Sequence, residues 1–340
     1  MEKQILLGLS AKELSRCAEA IGLKPFVGKQ IAQWIYEKRA TSFAEMTNIS
    51  KNGREALEVT YTIGRDAPIT CSVSRDGTKK YLFPAGGDST IEAAMIPDGE
   101  RRTLCLSTQS GCRMGCSFCA TGQQDFQGNL DAAKILNQVL SVEESTELTN
   151  LVFMGMGEPF DNLDALMRTL DVLTAPWGLA MSPRRITVST VGREQGLLRF
   201  LHESEAHLAI SLHTPFEMER QELVPASRAF PITRLMGILK SRNWSGQRRL
   251  SFEYVVLRGV NDTDGHMEAL ARLLRGIPSL VNLIAYHPHE DAPYDSPRAE
   301  RMSELRDMLN AMGIRATVRS SRGLDIEAAC GLLAKVHAER

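Results

Sequence analysis

The run Thr103-Leu104-Cys105-Leu106-Ser107-Thr108-Gln109-Ser110-Gly111-Cys112-Arg113-Met114-Gly115-Cys116-Ser117-Phe118-Cys119 joins a short strand-like stretch to three closely spaced cysteines. The spacing is C-x3-C-x2-C, and no fourth cysteine follows within reach of the same loop. Three thiolates on one short loop do not complete a closed four-ligand zinc or iron site. They can hold a cubane [4Fe–4S] cluster through three of its irons and leave the fourth open to a ligand. The alternative is a structural zinc loop whose fourth ligand comes from elsewhere, from His213 or Cys330. Structural zinc sites usually pair two short hooks, which favours the cluster.

Outward from this run, β-branched stretches alternate with amphipathic helical patterns from about Gly99 onward. The strand candidates are Thr103–Ser107, Asn150–Met154, Arg185–Thr190, Ala206–Leu212, Leu250–Leu257, Val281–Tyr286 and Arg315–Arg319. Between them lie helical faces such as Met302, Leu305, Met308, Leu309 and Met312. Strands alternating with helices of this length make βαβ units and a parallel sheet. The expected class is α/β, a partial (β/α) barrel, with function on the loops at the C-terminal ends of the strands. The cysteine loop sits on the first of these. Residues 1–60 read as a small helical unit, with helices over Ser10–Ile21, Gly28–Lys38 and Asn48–Val59. Residues 61–97 read as a linker or small β extension around the turn Arg75-Asp76-Gly77, and residues 98–340 as the barrel.

The chain has 340 residues, 43% hydrophobic, enough for a large core. Its 40 Lys and Arg balance 41 Asp and Glu, so net charge argues neither for nor against nucleic acid, and any RNA affinity must be local. No signal-peptide pattern and no run long enough for a membrane span is seen. Seven cysteines without a secretory signal fit a reducing cytoplasm.

Further strand ends carry chemistry. Gly155-Met156-Gly157-Glu158-Pro159 offers close backbone approach and a carboxylate at the barrel mouth. Ser189 and the run Ser211-Leu212-His213 offer hydroxyls and an imidazole, although either serine could equally cap the helix that follows. His287, in Tyr286-His287-Pro288, ends another strand. Cys105 and Cys330 read on their own as small buried hydrophobes.

Together these segments resemble the radical S-adenosylmethionine (SAM) adenine-C2 methyltransferases of 23S rRNA and tRNA, which are methyl-synthase enzymes. The resemblance runs from the helical unit through the cluster loop, Gly-Glu-Pro and Ser-Leu-His to the final Arg322-Gly323-Leu324-Asp325-Ile326-Glu327-Ala328-Ala329-Cys330-Gly331. It implies that Cys112, Cys116 and Cys119 hold a [4Fe–4S] cluster. It also implies that Gly157, Glu158, Ser189, Ser211, Leu212, His213 and His287 bind SAM, two molecules per turnover. Cys330 is then methylated by one SAM, and a radical from the second activates that methyl group. The activated carbon adds to C2 of adenine, which no ordinary methyl transfer reaches because that carbon is no nucleophile. The C2 proton leaves, with Glu92 at the position of the proposed base, and attack by Cys105 releases the product and leaves a disulfide for thiols to reduce. Leu332 stands where the family usually has Gln, and His287 where many members have Asn.

The resemblance implies 23S rRNA and tRNA as substrates and a reducing, flavodoxin-like electron donor. A monomer is expected because no self-complementary apolar stripe stands out, and the cysteine usage gives a cytoplasmic location. Basic pairs at Lys79-Lys80, Arg101-Arg102, Arg184-Arg185 and Arg248-Arg249, with Arg315, Arg319 and Arg322, each read singly as solvated bases and together as phosphate contacts. Lys24, Lys29, Lys38 and Arg39 make the helical unit a plausible RNA-docking module. Two alternatives stay open: methylation at C8 of the same base, and a non-catalytic Fe–S or zinc RNA-binding protein. A helical tendency over Ile326–His337 conflicts with delivery of Cys330 to the mouth, so a loop or frayed helix is expected there.

Overall fold

The computed structural model describes residues 3–333 apart from 245, 247, 290 and 291. The N-terminal unit begins with α1 (Ala11–Ala20), whose first turn is closed by a reciprocal cap between Ser10 and Glu13. Next comes α2 (Val27–Ala32), which runs on as a π-helical turn over Gln33–Glu37, and then α3 (Lys51–Thr60), capped by Ser50. The two leading helices cross closely because Gly28 has no side chain. A Cβ there would lie 2.2 Å from the Ser15 amide nitrogen, and backbone cannot yield as a flexible side chain would. Gly28→Ala is therefore expected to cost about 2–3 kcal/mol, read as a lower denaturation midpoint of the N-terminal unit. Phe26→Ala, at an exposed position beside it, is the control.

A single ten-stranded sheet carries the rest. Its strands in chain order are β1 (Thr70–Val73), β2 (Lys79–Gly86), β3 (Ser89–Asp98), β4 (Arg101–Cys105), β5 (Asn150–Phe153), β6 (Ile186–Thr190), β7 (His207–Ser211), β8 (Leu250–Val256), β9 (Leu280–Ala285) and β10 (Ala316–Arg319). From β4 to β10 every neighbouring pair is parallel, and strand order follows chain order, as right-handed βα crossovers around a partial barrel require. Leu104, Leu151, Phe153, Val188, Leu208, Ile210, Phe252, Val256, Val281 and Leu283 are buried along these strands, the near-continuous apolar pattern of a sheet covered by helices.

Each of the seven expected strands is present, with ends moved by one or two residues. The larger departure is the β extension. Strands β1 to β3 pair antiparallel with one another, and β3 pairs with β4, so residues 70–98 continue the barrel sheet across the expected boundary at 97 and 98, whereas Tyr61–Thr62 pair with Gln4–Ile5 of the N-terminal unit in a separate two-stranded sheet. On the late helix α10 (Ala299–Ala311), Met302, Leu305 and Leu309 are buried, whereas Met312 is the exposed C-cap.

After β10 the chain makes one short 3-10 turn, Leu324–Ile326, and stays a loop to Leu333. The rest of the expected helical stretch, including His337, lies outside the described residues. The loop is pinned at both ends. Toward the β1–β2 turn, Asp325 accepts from the Ser74 hydroxyl (2.5 Å) and the Arg75 amide (3.2 Å), and Asp76 accepts from the Gly323 amide (2.9 Å). Toward the cysteine loop, the Ala120 amide donates to the Gly331 carbonyl (2.8 Å) and Thr121 Oγ1 to the Leu333 carbonyl (2.5 Å). Gly323 holds φ +65°, and a Cβ there would meet Thr78 at 2.8 Å, so this junction needs glycine.

Candidate active site

Two adjoining cavities open at the C-terminal ends of the parallel strands. One is lined by Cys112, Cys116 and Cys119 together with Glu158, Ser189, Ser211 and His213. The other is lined by Cys105, Met154 and His287. Cys330, Cys119 and Arg319 line both. Cys330 thus stands between the three loop thiols and Cys105, although these residues come from widely separated parts of the chain.

The cysteine loop is shaped by its contacts. The Ser117 amide donates to the Leu223 carbonyl (3.0 Å) at the end of the helix α7 (Glu217–Leu223), and the Ala226 amide donates to the Met114 carbonyl. Phe118 sets its ring edge against His213, with centroids 4.7 Å apart. Burial raises all three thiols: Cys112 to about 12, Cys116 well above its ordinary value, and Cys119 upward, with each neighbouring thiol adding to the rise. Gathered thiols of this kind stay protonated until a strong cation displaces their protons, which is the chemistry of an iron–sulfur site. Among the described residues, no three His, Cys, Asp or Glu side chains group so as to hold a single metal ion. A cubane asks each thiol for a different iron and does not need that convergence. The donor set therefore fits a three-cysteine cluster.

Glu158 follows Gly157, whose φ of +99° turns the chain where a Cβ would meet the Gln109 side chain at 2.5 Å. Gln109 Oε1 accepts from the Glu158 amide (2.7 Å). The Glu158 carboxylate is buried. Oε1 accepts from the Phe160 amide (3.0 Å) and the Thr190 hydroxyl (2.6 Å), and Oε2 from the Val191 amide (2.9 Å). Burial outweighs these donors and pushes the group up to about 7. A folded-state value above the ordinary 4.5 favours the neutral form, so its contribution to stability is full below about 4.5 and lost as pH rises through 7. The unliganded protein is expected to lose about 3 kcal/mol across that window from this group. Denaturant midpoints measured against pH should show the slope, and Glu158→Gln should remove it.

The two serines do not cap helices. Ser189 Oγ and Ser211 Oγ lie 3.2 Å apart across β6 and β7, while the helices after them start from Arg193 and Phe216. His213 is buried with φ +64°, and its Nδ1 accepts from the Val255 amide (3.1 Å). That donor assigns the proton to Nε2, and burial holds the ring neutral, near 3. Leu212 departs from the expectation: its side chain is wholly buried away from both cavities. His287 reaches the Cys105 cavity rather than the cluster cavity, and its Nε2 lies 2.6 Å from Ser321 Oγ.

Glu92, at the position of the expected base, is 1% exposed and paired with Lys80 Nζ at 3.0 Å. It does not line either cavity. It shares a strand face with Ala94, which stands opposite Cys105 in the β3–β4 register. Several expected phosphate contacts are also engaged: Lys79 pairs with Glu143 and Glu144, Arg248 is buried over Phe200, and Arg319 is in the cavities. Thr190 and Glu253 line the mouth without having been anticipated, and neither was Arg220, which braces it without lining it. Only Thr190 carried a signal, as the last residue of an expected strand. The buried Arg220 donates to the Val191, Ser211 and Leu212 carbonyls and so ties α7 to the ends of β6 and β7.

Comparison with known proteins follows this geometry. Residues 5–63 match the ribosomal RNA large subunit methyltransferase N-terminal domain, and residues 106–274 the radical SAM superfamily. A probable dual-specificity RNA methyltransferase RlmN from Porphyromonas gingivalis is 51% identical, over 99% of this chain and 96% of its own. The dual-specificity RNA methyltransferase RlmN of Geobacter sulfurreducens is 41% identical over 96% of this chain and 91% of its own. A radical SAM methyltransferase from Sphaerobacter thermophilus, solved by crystallography, superposes with a TM-score of 0.92 at 40% identity, covering 97% of this chain and 99% of the other.

Proposed function

Because the chain belongs to the RlmN family of dual-specificity RNA methyltransferases within the radical SAM superfamily, we infer that it methylates C2 of an adenosine in 23S rRNA and in tRNA. Its cofactors are a [4Fe–4S] cluster and SAM. The observation that carries the mechanistic reading is the placement of Cys330 on both cavities, between the loop thiols and Cys105.

Cys112, Cys116 and Cys119 would hold the cluster, which when bound supplies the electron that splits SAM reductively. Glu158 suits the amino group of SAM: its oxygens are aimed by three donors, and an ammonium brought beside it favours the carboxylate form. Gly157 lets the backbone approach, and Ser189, Ser211 and His213 Nε2 offer hydrogen bonds to the rest of the ligand. His287 serves from the Cys105 side. Leu212, whose amide donates to the Glu253 carbonyl and whose carbonyl accepts from Arg220 Nε, holds the strand end between Ser211 and His213.

Cys330 accepts the methyl group at Sγ and later carries that carbon to C2. Glu92, paired with Lys80 Nζ at 3.0 Å, takes the C2 proton. Cys105, having given up its thiol proton, attacks Cys330 Sγ. The Cys330 S–C bond breaks with its electron pair staying on carbon, which takes a proton to complete the methyl group, and the base leaves while Cys105 and Cys330 remain as a disulfide. Glu92 does not reach the cavities in the RNA-free protein, so its part requires the base to enter or β3 to shift. Residues 1–60 dock RNA, 70–97 extend the barrel sheet, and 98–340 hold the reaction. A flavodoxin-like donor and a cytoplasmic monomer complete the reading. Among the described residues no helix is long and apolar enough to cross a membrane.

The test is anaerobic reconstitution with iron and sulfide, SAM, reductant and an rRNA or tRNA fragment, followed by mass spectrometry of the nucleosides. 2-Methyladenosine is the expected product. 8-Methyladenosine would move the product to C8, and SAM cleavage without methylated RNA would overturn the substrate.

A further inference from the structure

Arg319 ends β10, and in the sequence it reads as one more solvated base. The structure turns it inward, where it lines both cavities beside Cys330. Its polar neighbours leave its donors largely unspent. Nη1 lies 3.5 Å from Met154 Sδ, a weak acceptor, and 3.9 Å from Glu253 Oε2, beyond hydrogen-bond length. Glu253 is fixed from its other oxygen: Oε1 accepts from Ser251 Oγ and Asn282 Nδ2, both at 2.9 Å. Its Oε2 is buried with no hydrogen-bond partner. Glu253 Oε2 faces Arg319 without saturating its donors. A guanidinium has five donors and no acceptor. The Arg319 side chain is 27% exposed, so water can meet its spare donors, and a ligand that displaces that water without bringing acceptors leaves them unpaired at a cost. Whatever fills this cavity should therefore bring acceptors.

We propose that Arg319 reads the target base by donating to a ring nitrogen flanking C2, and so sets C2 rather than C8 of adenine against Cys330. This rests on the reading that adenine is presented to Cys330. The edge N1–C2–N3 shows acceptors on both sides of the reacting carbon and no donor, which suits a donor-only side chain. C8 has one acceptor beside it, N7, because N9 carries the ribose. Cys330 and Arg319 share both cavities, so a base whose C2 meets Cys330 lies against the guanidinium.

The test uses the reconstituted full-length enzyme and a substrate stem-loop carrying adenosine, 1-deazaadenosine or 3-deazaadenosine at the target position. Affinity is read by fluorescence anisotropy, and SAM affinity is measured in parallel. Wild type should bind at least one deaza RNA about tenfold more weakly than the adenosine RNA, the range for a hydrogen bond to a charged group. Arg319→Met should bind all three within about twofold of one another. If Arg319→Met does not fold, Arg319→Lys carries the test: it keeps the charge, loses the fork, and should show a clearly reduced penalty.

Wild-type discrimination retained in the variants, or no penalty in wild type for either analogue, overturns the proposal. So does a loss of SAM affinity with base discrimination intact, which would make Arg319 a ligand of the SAM carboxylate. The product assay separates this from failure of the underlying reading. Methylated adenosine without Arg319-dependent discrimination sinks only the present proposal, whereas no methylated adenosine from wild type sinks both.

Discussion

Cys330→Ala is expected to abolish RNA methylation, by at least about 1,000-fold, because on the proposed mechanism the substitution removes the atom that carries the transferred carbon rather than a group that assists it. The fold should persist. The backbone anchors around Cys330 run through Gly331 and Leu333, whose carbonyls accept from Ala120 and Thr121 whatever side chain stands at 330. The buried neighbours Ala328 and Ala329 are untouched. The variant should load iron and sulfide as wild type does, and nucleoside mass spectrometry should find no methylated adenosine. A variant that still makes product would remove Cys330 from the mechanism and leave its place between the two cavities without a chemical meaning.

Cys105→Ser should fail differently. Serine is nearly isosteric with cysteine, and this position is buried at the end of β4, so the site should form. A hydroxyl cannot make the sulfur–sulfur bond that breaks the Cys330 S–C link, so the reaction should stop with RNA attached to the protein. One equivalent of RNA per enzyme should stay bound through denaturing electrophoresis, with product reduced by at least about 1,000-fold. The double variant with Cys330→Ala should show no such band. In wild type, burial pushes the Cys105 thiol up to about 12, and the Arg319 charge works against that rise. A Cys105→Ser enzyme that turns over normally would assign release of the base to another group.

The parallel strands were legible because each is a short buried run between amphipathic helices, and barrel order follows from that rhythm alone. The three-cysteine loop and the glycines before Glu158 were legible because their spacing has few other uses. The pairing of β1 to β3 onto the barrel was not: their alternation suits a free hairpin as well as a sheet edge, and only the β3–β4 register decides between them. The burial of Glu92 was not legible because a lone glutamate is usually solvated, and its partner Lys80 comes from the adjacent strand β2. Arg319 misled for the related reason that a terminal strand residue has two faces, and the sequence does not say which one closes on the cavity. The serines were ambiguous between capping and lining until the helix starts at Arg193 and Phe216 settled the matter.

The pinning of the Cys330 loop bears on how the protein is made. The hydrogen bonds from Ser74 to Asp325 and from Gly323 to Asp76 span 251 and 247 residues of chain, and that from Thr121 to Leu333 spans 212. Contacts of such separation form late, and synthesis runs from the N-terminus. A nascent chain therefore displays Cys112, Cys116 and Cys119 while the segment that docks against Ala120 and Thr121 is still untranslated. That interval is a window in which the three thiols are reachable before the Cys330 segment is in place.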